Sequence, residues 1–94
     1  MLLFHLTIIR CYSYADVEGD YDLAHFSLAE EDLKLKIPYI QLANQLSSRK
    51  IKYFGSPWSA PPWMKTNNDW KGYGQLKGDS KGPFYRTWAK YFIK

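Results

Sequence analysis

A chain of 94 residues, 46% hydrophobic and 18% aromatic, has the composition of a folded domain rather than a disordered tail, yet its length limits it to a modest core. Its single cysteine, Cys11, excludes an internal disulfide, and no cysteine and histidine cluster has zinc spacing, so neither a metal site nor a cofactor is expected. The formal net charge of +4 is uneven, with most carboxylates before residue 33 and the later cations spaced out as on a solvated surface, which argues against a nucleic-acid partner.

The first ten residues, MLLFHLTIIR, are apolar but too short to span a bilayer. They carry no basic leading segment and no small-residue cleavage site, so no signal peptide is visible. Their β-branched and aromatic content predicts a strand that stops at Arg10 or runs on into CYSY. Arg10 itself suits a buried ion pair better than catalysis, because a guanidinium does not titrate usefully. Residues 16–27, DVEGDYDLAHFS, then read as an exposed acidic loop around Gly19.

Ser27 and Glu30 have the S-x-x-E spacing of a capping box, and Glu30, Glu31 and Asp32 fall in the first turn, where the helix dipole favours negative charge. Leu33, Ile37, Ile40 and Leu46 follow at helical spacing, with Pro38 expected to force a kink or a fresh helical start. Ser47, Ser48 and Arg49 close that helix. KIKYFG, residues 50–55, alternates like a short strand, giving a strand, loop, helix, strand order. A right-handed crossover of that kind builds parallel sheets, whose ligand-binding groups gather on loops at the carboxyl ends of strands.

Such a loop is next. SPWSAPPWMKTN, residues 56–67, sets Trp58 and Trp63 among prolines, where neither a helix nor a central strand would hold them. Residues 67–82, NNDWKGYGQLKGDSKG, form a long irregular excursion with Trp70 and Tyr73 as its large anchors. GPFYRTWAKYFIK, residues 82–94, places Pro83 at the start of a helix with Phe84, Trp88, Tyr91 and Phe92 along one face. No glycine or asparagine cap follows, and two strands with two helices cannot cover a parallel sheet. The chain is therefore expected to be part of something larger.

RCYSYAD (10–16), HFSLAEEDLKLKIPYIQLA (25–43), SPWSAPPWMKTN (56–67), GQLKG (74–78) and YRTWAKYFIK (85–94) closely resemble the glucosylceramidases, or acid β-glucosidases, of glycoside hydrolase family 30. The likeness covers residues 10–94, while residues 1–9 diverge. It implies an α/β fold, a fragment of a (β/α)8 TIM barrel of about two βα units. It also implies that Trp58 lines the glucose pocket, offering an indole face to the apolar face of the sugar. Pro57 and Pro61 would fix the backbone on either side, limiting the entropy lost on binding. Trp63 is a candidate sugar contact or a plug that packs the loop against the barrel rim. Lys65 and Asn67 are motif members expected to hold the loop, and Asp16 either reaches sugar hydroxyls or structures its own loop.

A retaining glycosidase needs two carboxyl groups about 5 Å apart. The family's acid/base Glu lies between Asn and Pro, and no Asn-Glu-Pro occurs here. The expectation is thus a catalytically silent fragment of an enzyme that cleaves glucosylceramide to glucose and ceramide. The resemblance further implies a lysosomal setting, a saposin-type activator and an anionic membrane surface. The alternative is a non-enzymatic module that holds a glycan, a lipid headgroup or single-stranded nucleic acid on Trp58, Trp63, Trp70 and the basic carboxyl half.

Overall fold

A computed structural model describes residues 11–94; the strand expected over residues 1–10 and the ion pair of Arg10 lie outside the described residues. The described chain divides into two compact units, one of Cys11 with residues 28–56 and one of residues 12–27 with 57–94.

In the first unit the helix starts two residues later than the Ser27 and Glu30 spacing predicts. The Ala29 carbonyl accepts the N–H groups of Asp32 (3.0 Å) and Leu33 (3.3 Å), and the Asp32 carboxylate accepts the Ala29 N–H at 3.0 Å. Asp32 thus makes the return half of a capping box. It is also buried, with Lys36 Nζ at 3.2 Å supplying the opposite charge. Glu30 is left free to pair with Lys34 one turn on, and that hydrogen bond holds the Lys34 ammonium above its ordinary pKa.

Pro38 acts as expected, and its effect is specific. Residues Asp32–Lys36 form a π-helical turn in which the Ile37 N–H reaches back to the Asp32 carbonyl, and α1 (Ile37–Leu46) starts from there with Pro38 in its first turn. Widening the preceding turn relieves the crowding between the proline ring and the Lys34 carbonyl. α1 ends at Ser47, whose Oγ donates to the Arg49 carbonyl at 2.8 Å. None of its residues is buried, and Ile37, Leu42 and Leu46 are exposed.

Residues 50–55 do not form the expected strand. Among the described residues they have no ladder partner, and the Tyr53 hydroxyl ties them to α1 by donating to Asn44 Oδ1 at 3.5 Å. Alternation gives a strand its faces, but the ladder must come from a neighbour. Among the described residues the one β-bridge is the antiparallel pair Lys65 and Leu76, so a strand, helix, strand order is not seen in them.

The second unit carries the core. Ala60, Trp63 and Met64 are buried, and Leu76, Phe84 and Trp88 pack against them. Met64 and Trp63 lie in a 3-10 turn (Pro62–Met64), while Phe84 and Trp88 come from α2 (Pro83–Tyr91), where Pro83 needs no hydrogen bond. The acidic loop is fastened to this core. Tyr21 sets its ring edge-on to Trp63 (5.7 Å) and Phe84 (5.5 Å), and Thr87, buried on α2, donates Oγ1 to the Tyr21 carbonyl at 3.0 Å.

Within that loop, Asp20 accepts the backbone N–H groups of His25 (2.9 Å) and Ala24 (3.0 Å). The His25 N–H is the main reason its carboxyl lies below the ordinary pKa. The turn closed by these bonds carries Leu23 at φ 57°, a left-handed conformation unusual for leucine, with the side chain fully buried. Tyr14 completes the unit by stacking on Tyr91 at 6.0 Å and donating its N–H to that hydroxyl.

Candidate functional site

The two tryptophans of SPWSAPPWMKTN are sent in opposite directions by the prolines between them. Pro61 is extended (φ −60°, ψ 148°) and Pro62 opens the 3-10 turn, closed by Met64 N–H to the Pro61 carbonyl and Lys65 N–H to the Pro62 carbonyl, both at 3.0 Å. Proline suits both conformations, so the chain passes from an extended residue into a tight turn. Trp63 lies in that turn, where it is 6% exposed and donates Nε1–H to the Ala15 carbonyl at 2.8 Å. Trp58, three residues before Pro61, stays 77% exposed. Pro57 is exposed beside it and Pro61 is fully buried, so the loop is anchored at one end and presented at the other.

Lys65 ties the limbs of the loop together. Its buried ammonium donates to Ser59 Oγ at 3.1 Å, to the Asp69 carbonyl at 2.9 Å and to the Trp70 carbonyl at 3.4 Å. An ammonium has three N–H donors, and all three are engaged. Asn67 braces the next turn, donating Nδ2–H to the Lys71 carbonyl at 2.8 Å. It fills the space beside Gly74, where a Cβ would stand 2.5 Å from Asn67 Oδ1. Thr66 and Gln75 then pair through Thr66 N–H on the Gln75 carbonyl (2.8 Å) and Gln75 N–H on Thr66 Oγ1 (3.1 Å).

These contacts shape an open cleft of about 390 Å³ lined by Trp58, Ser59, Lys65, Trp70, Gln75 and Trp88, together with small residues and Leu76. Among the described residues no carboxylate lines it. Asp16, the candidate on the acidic loop, is exposed but turned onto its own turn, accepting the Ser13 N–H at 3.1 Å on each oxygen and the Ser13 hydroxyl besides. The structure therefore brings Trp58 and Lys65 into one cleft, with Trp63 buried behind and Asp16 occupied by Ser13. Among the described residues no group of three or more His, Cys, Asp or Glu side chains could hold a metal ion.

Sequence reading did not foresee Ser59, Gln75 or Trp88 in this cleft. For Trp70 and Gln75 a signal existed in Gly72 and Gly74, since glycines in a long loop mark places where backbone must approach closely. For Trp88 no local signal existed, because its helical register predicts a core contact.

Comparison with known proteins decides the family. Residues 5–94 match the glycosyl hydrolase family 30 TIM-barrel domain. The chain belongs to that family. It is 54% identical over 86 residues to the mouse lysosomal acid glucosylceramidase, covering 92% of this chain and 17% of that protein. It is 32% identical over 92 residues to an endo-1,6-beta-D-glucanase of Trichoderma harzianum, covering 88% of this chain and 18% of the fungal enzyme. The family 30 chain thus spans about a sixth of the length of these relatives. As a family 30 sequence it is a stretch of a TIM-barrel domain.

Proposed function

We propose that this chain supplies the sugar-platform loop of a retaining glucosylceramidase, an enzyme that hydrolyses the β-glucosidic bond of glucosylceramide to glucose and ceramide. The observation that carries the reading is Trp58, a large apolar residue 77% exposed on a loop that the buried Trp63 and Lys65 anchor through hydrogen bonds. Exposing an indole forgoes its burial energy, and a ligand that covers its face recovers it. The similarity to the mouse lysosomal acid glucosylceramidase supports the choice of glucosyl lipid.

In this reading Trp58 stacks on the apolar face of the glucosyl ring. Trp63, Pro61 and Lys65 fix the loop beneath it, so little order has to be created on binding. Asn67 and Pro57 limit motion on either side, and Asp16 shapes the acidic loop through Ser13. The segment corresponds to about two βα units of the barrel. Residues 50–55 gain their ladder from neighbouring strands of a complete sheet. Lysosomal location, a saposin-type activator and an anionic membrane surface belong to the same proposal.

Retaining hydrolysis takes two carboxyl groups about 5 Å apart across the sugar. With no carboxylate lining the cleft, the 94-residue chain by itself binds a glucoside without cleaving it. Titrating the purified chain with methyl β-D-glucoside while following tryptophan emission tests the reading. A saturable change that Trp58→Ala abolishes is expected, with no glucose released. Saturation unaltered by that substitution refutes the platform, and steady glucose release refutes the silent fragment.

A further inference from the structure

A second open recess, of about 250 Å³, shares no lining residue with the tryptophan cleft. It is walled by Tyr21 and Asp22 of the acidic loop, by Lys81, and by Arg86, Thr87 and Lys90 on one face of α2. Both walls are fixed before any ligand arrives. Buried Thr87 donates Oγ1 to the Tyr21 carbonyl at 3.0 Å, which ties the acidic loop to α2. At the entrance to α2 the Gly82 N–H donates to the Asp79 carbonyl at 2.7 Å and the Lys81 N–H to Asp79 Oδ1 at 3.2 Å, so a closed turn sets where Lys81 stands.

The charges in this recess do not balance. Lys81, Arg86 and Lys90 set three cations against the single carboxylate of Asp22, which lies 3.5 Å from Lys90 Nζ. Asp79 spends its Oδ1 on its own turn. Among the described residues the Lys81 ammonium and the Arg86 guanidinium have no hydrogen-bond or ion-pair partner. Arg86 and Lys90 also stand four residues apart on α2, a spacing at which like charges repel. Other cations of the chain are answered: Lys34 by Glu30, Lys36 by Asp32, and Lys65 by three oxygens.

Two uncompensated positive charges between fixed walls suit a compact ligand that carries two negative ones. A neutral sugar would leave the imbalance as it is, and a monocarboxylate would correct half of it. A guanidinium fork pairs with two oxygens of a phosphate or sulfate, while ammonium groups meet the remaining oxygens as point charges. The recess has the liquid volume of about eight waters, enough for such a group with part of its hydration.

We infer that this recess binds a phosphate or sulfate monoester, held as the dianion by Lys81, Arg86 and Lys90. The inference is independent of the sugar reading of Trp58.

The test is titration of the 94-residue chain with sodium sulfate and with glycerol 3-phosphate, at an ionic strength fixed by sodium chloride, followed through backbone amide signals in NMR. Saturable shifts at Lys81, Arg86 and Lys90 are expected with both at pH 7.5. At pH 5 the phosphate ester, below its second pKa of about 6, should bind about fivefold more weakly while sulfate is unchanged. Arg86→Gln should weaken both about tenfold. Lys52→Gln, an exposed cation outside the recess, should leave them unchanged, and the Trp63 indole signal should report an intact core in both variants. Phosphatidylcholine vesicles containing phosphatidic acid identify the source of the ester. Co-sedimentation that Arg86→Gln abolishes supports the site with a lipid headgroup as its ligand, and saturable glycerol 3-phosphate binding without co-sedimentation supports it with a soluble ester. Shifts that stay linear with concentration, or equal weakening by Arg86→Gln and Lys52→Gln, reduce the effect to the general attraction of a basic chain for anions and overturn the site.

Discussion

Replacing Lys65 by methionine keeps most of the side chain's apolar stem and removes the ammonium that ties the tryptophan loop. Of its three acceptors, Ser59 Oγ still donates to the Ala60 carbonyl at 2.7 Å, so the loss falls chiefly on the Asp69 and Trp70 carbonyls. A hydrogen bond from a charged donor contributes about 1.5–3 kcal/mol, so two give a gross loss of about 3–6 kcal/mol. Relief of the ammonium's desolvation offsets part of this, because a buried cation with only neutral acceptors is itself costly. The net expectation is about 2 kcal/mol of lost stability, or roughly 8–15 °C in midpoint for a domain of this size. Urea unfolding followed by tryptophan emission measures it, and sugar titration of the folded variant should show weakened binding, because the Trp58 and Trp70 limbs are no longer tied. A variant as stable as the parent, with unchanged affinity, would refute the tie.

Trp63→Phe keeps an aromatic ring but loses the bond to Ala15, and should cost about 1–3 kcal/mol in the same urea experiment; no loss would mean that the indole N–H contributes nothing. Gly74→Ala drives a Cβ into Asn67 and should destabilise by about 1–3 kcal/mol, a penalty that Asn67→Ala in the same chain should reduce, with additive losses counting against the clash. Asp20 has a depressed pKa, so its contribution to stability is fully present above the ordinary carboxyl value of 3.8 and is lost as pH falls through its lower folded value. Asp20→Asn should therefore narrow the difference between stability at pH 5 and at pH 2.5, and an unchanged acid profile would remove Asp20 as its source.

What could be read from the sequence was chemistry that residues carry with them. Pro38, Pro61, Pro62 and Pro83 act where they stand, through a fixed φ and a missing N–H, and each marks a turn or helix start in the structure. The α2 face and the inward role open to Trp63 follow from spacing and from the polar handle of an indole. The helix start was misplaced because Ser27 spends its backbone N–H on the Tyr14 carbonyl at 3.1 Å, a long-range bond that no local pattern announces. Residues 50–55 lack a ladder among the described residues for the converse reason. Their alternation is genuine, but strand identity belongs to a pair of segments, and no described segment pairs with them. Lys65 was legible as a loop residue, whereas its acceptors were not, since two are backbone carbonyls four and five residues away that any sequence would offer.

The loop's design follows from how little core this unit has. The few buried apolar side chains of this unit, Ala15, Leu23, Ala60, Trp63 and Met64 among them, cannot by packing alone hold a twelve-residue proline-rich loop with an indole in solvent. Stability is drawn instead from directional bonds at the loop's ends: Trp63 to Ala15, Lys65 to both limbs, and Asn67 to Lys71. Directional bonds fix position as well as energy, which burial does not. A ligand-facing ring needs that fixation, because each rotor frozen on binding subtracts from affinity. The same bonds explain why Trp58→Ala should leave stability within about 0.5 kcal/mol of the parent while removing the sugar response: at 77% exposure the ring contributes little to the fold that presents it.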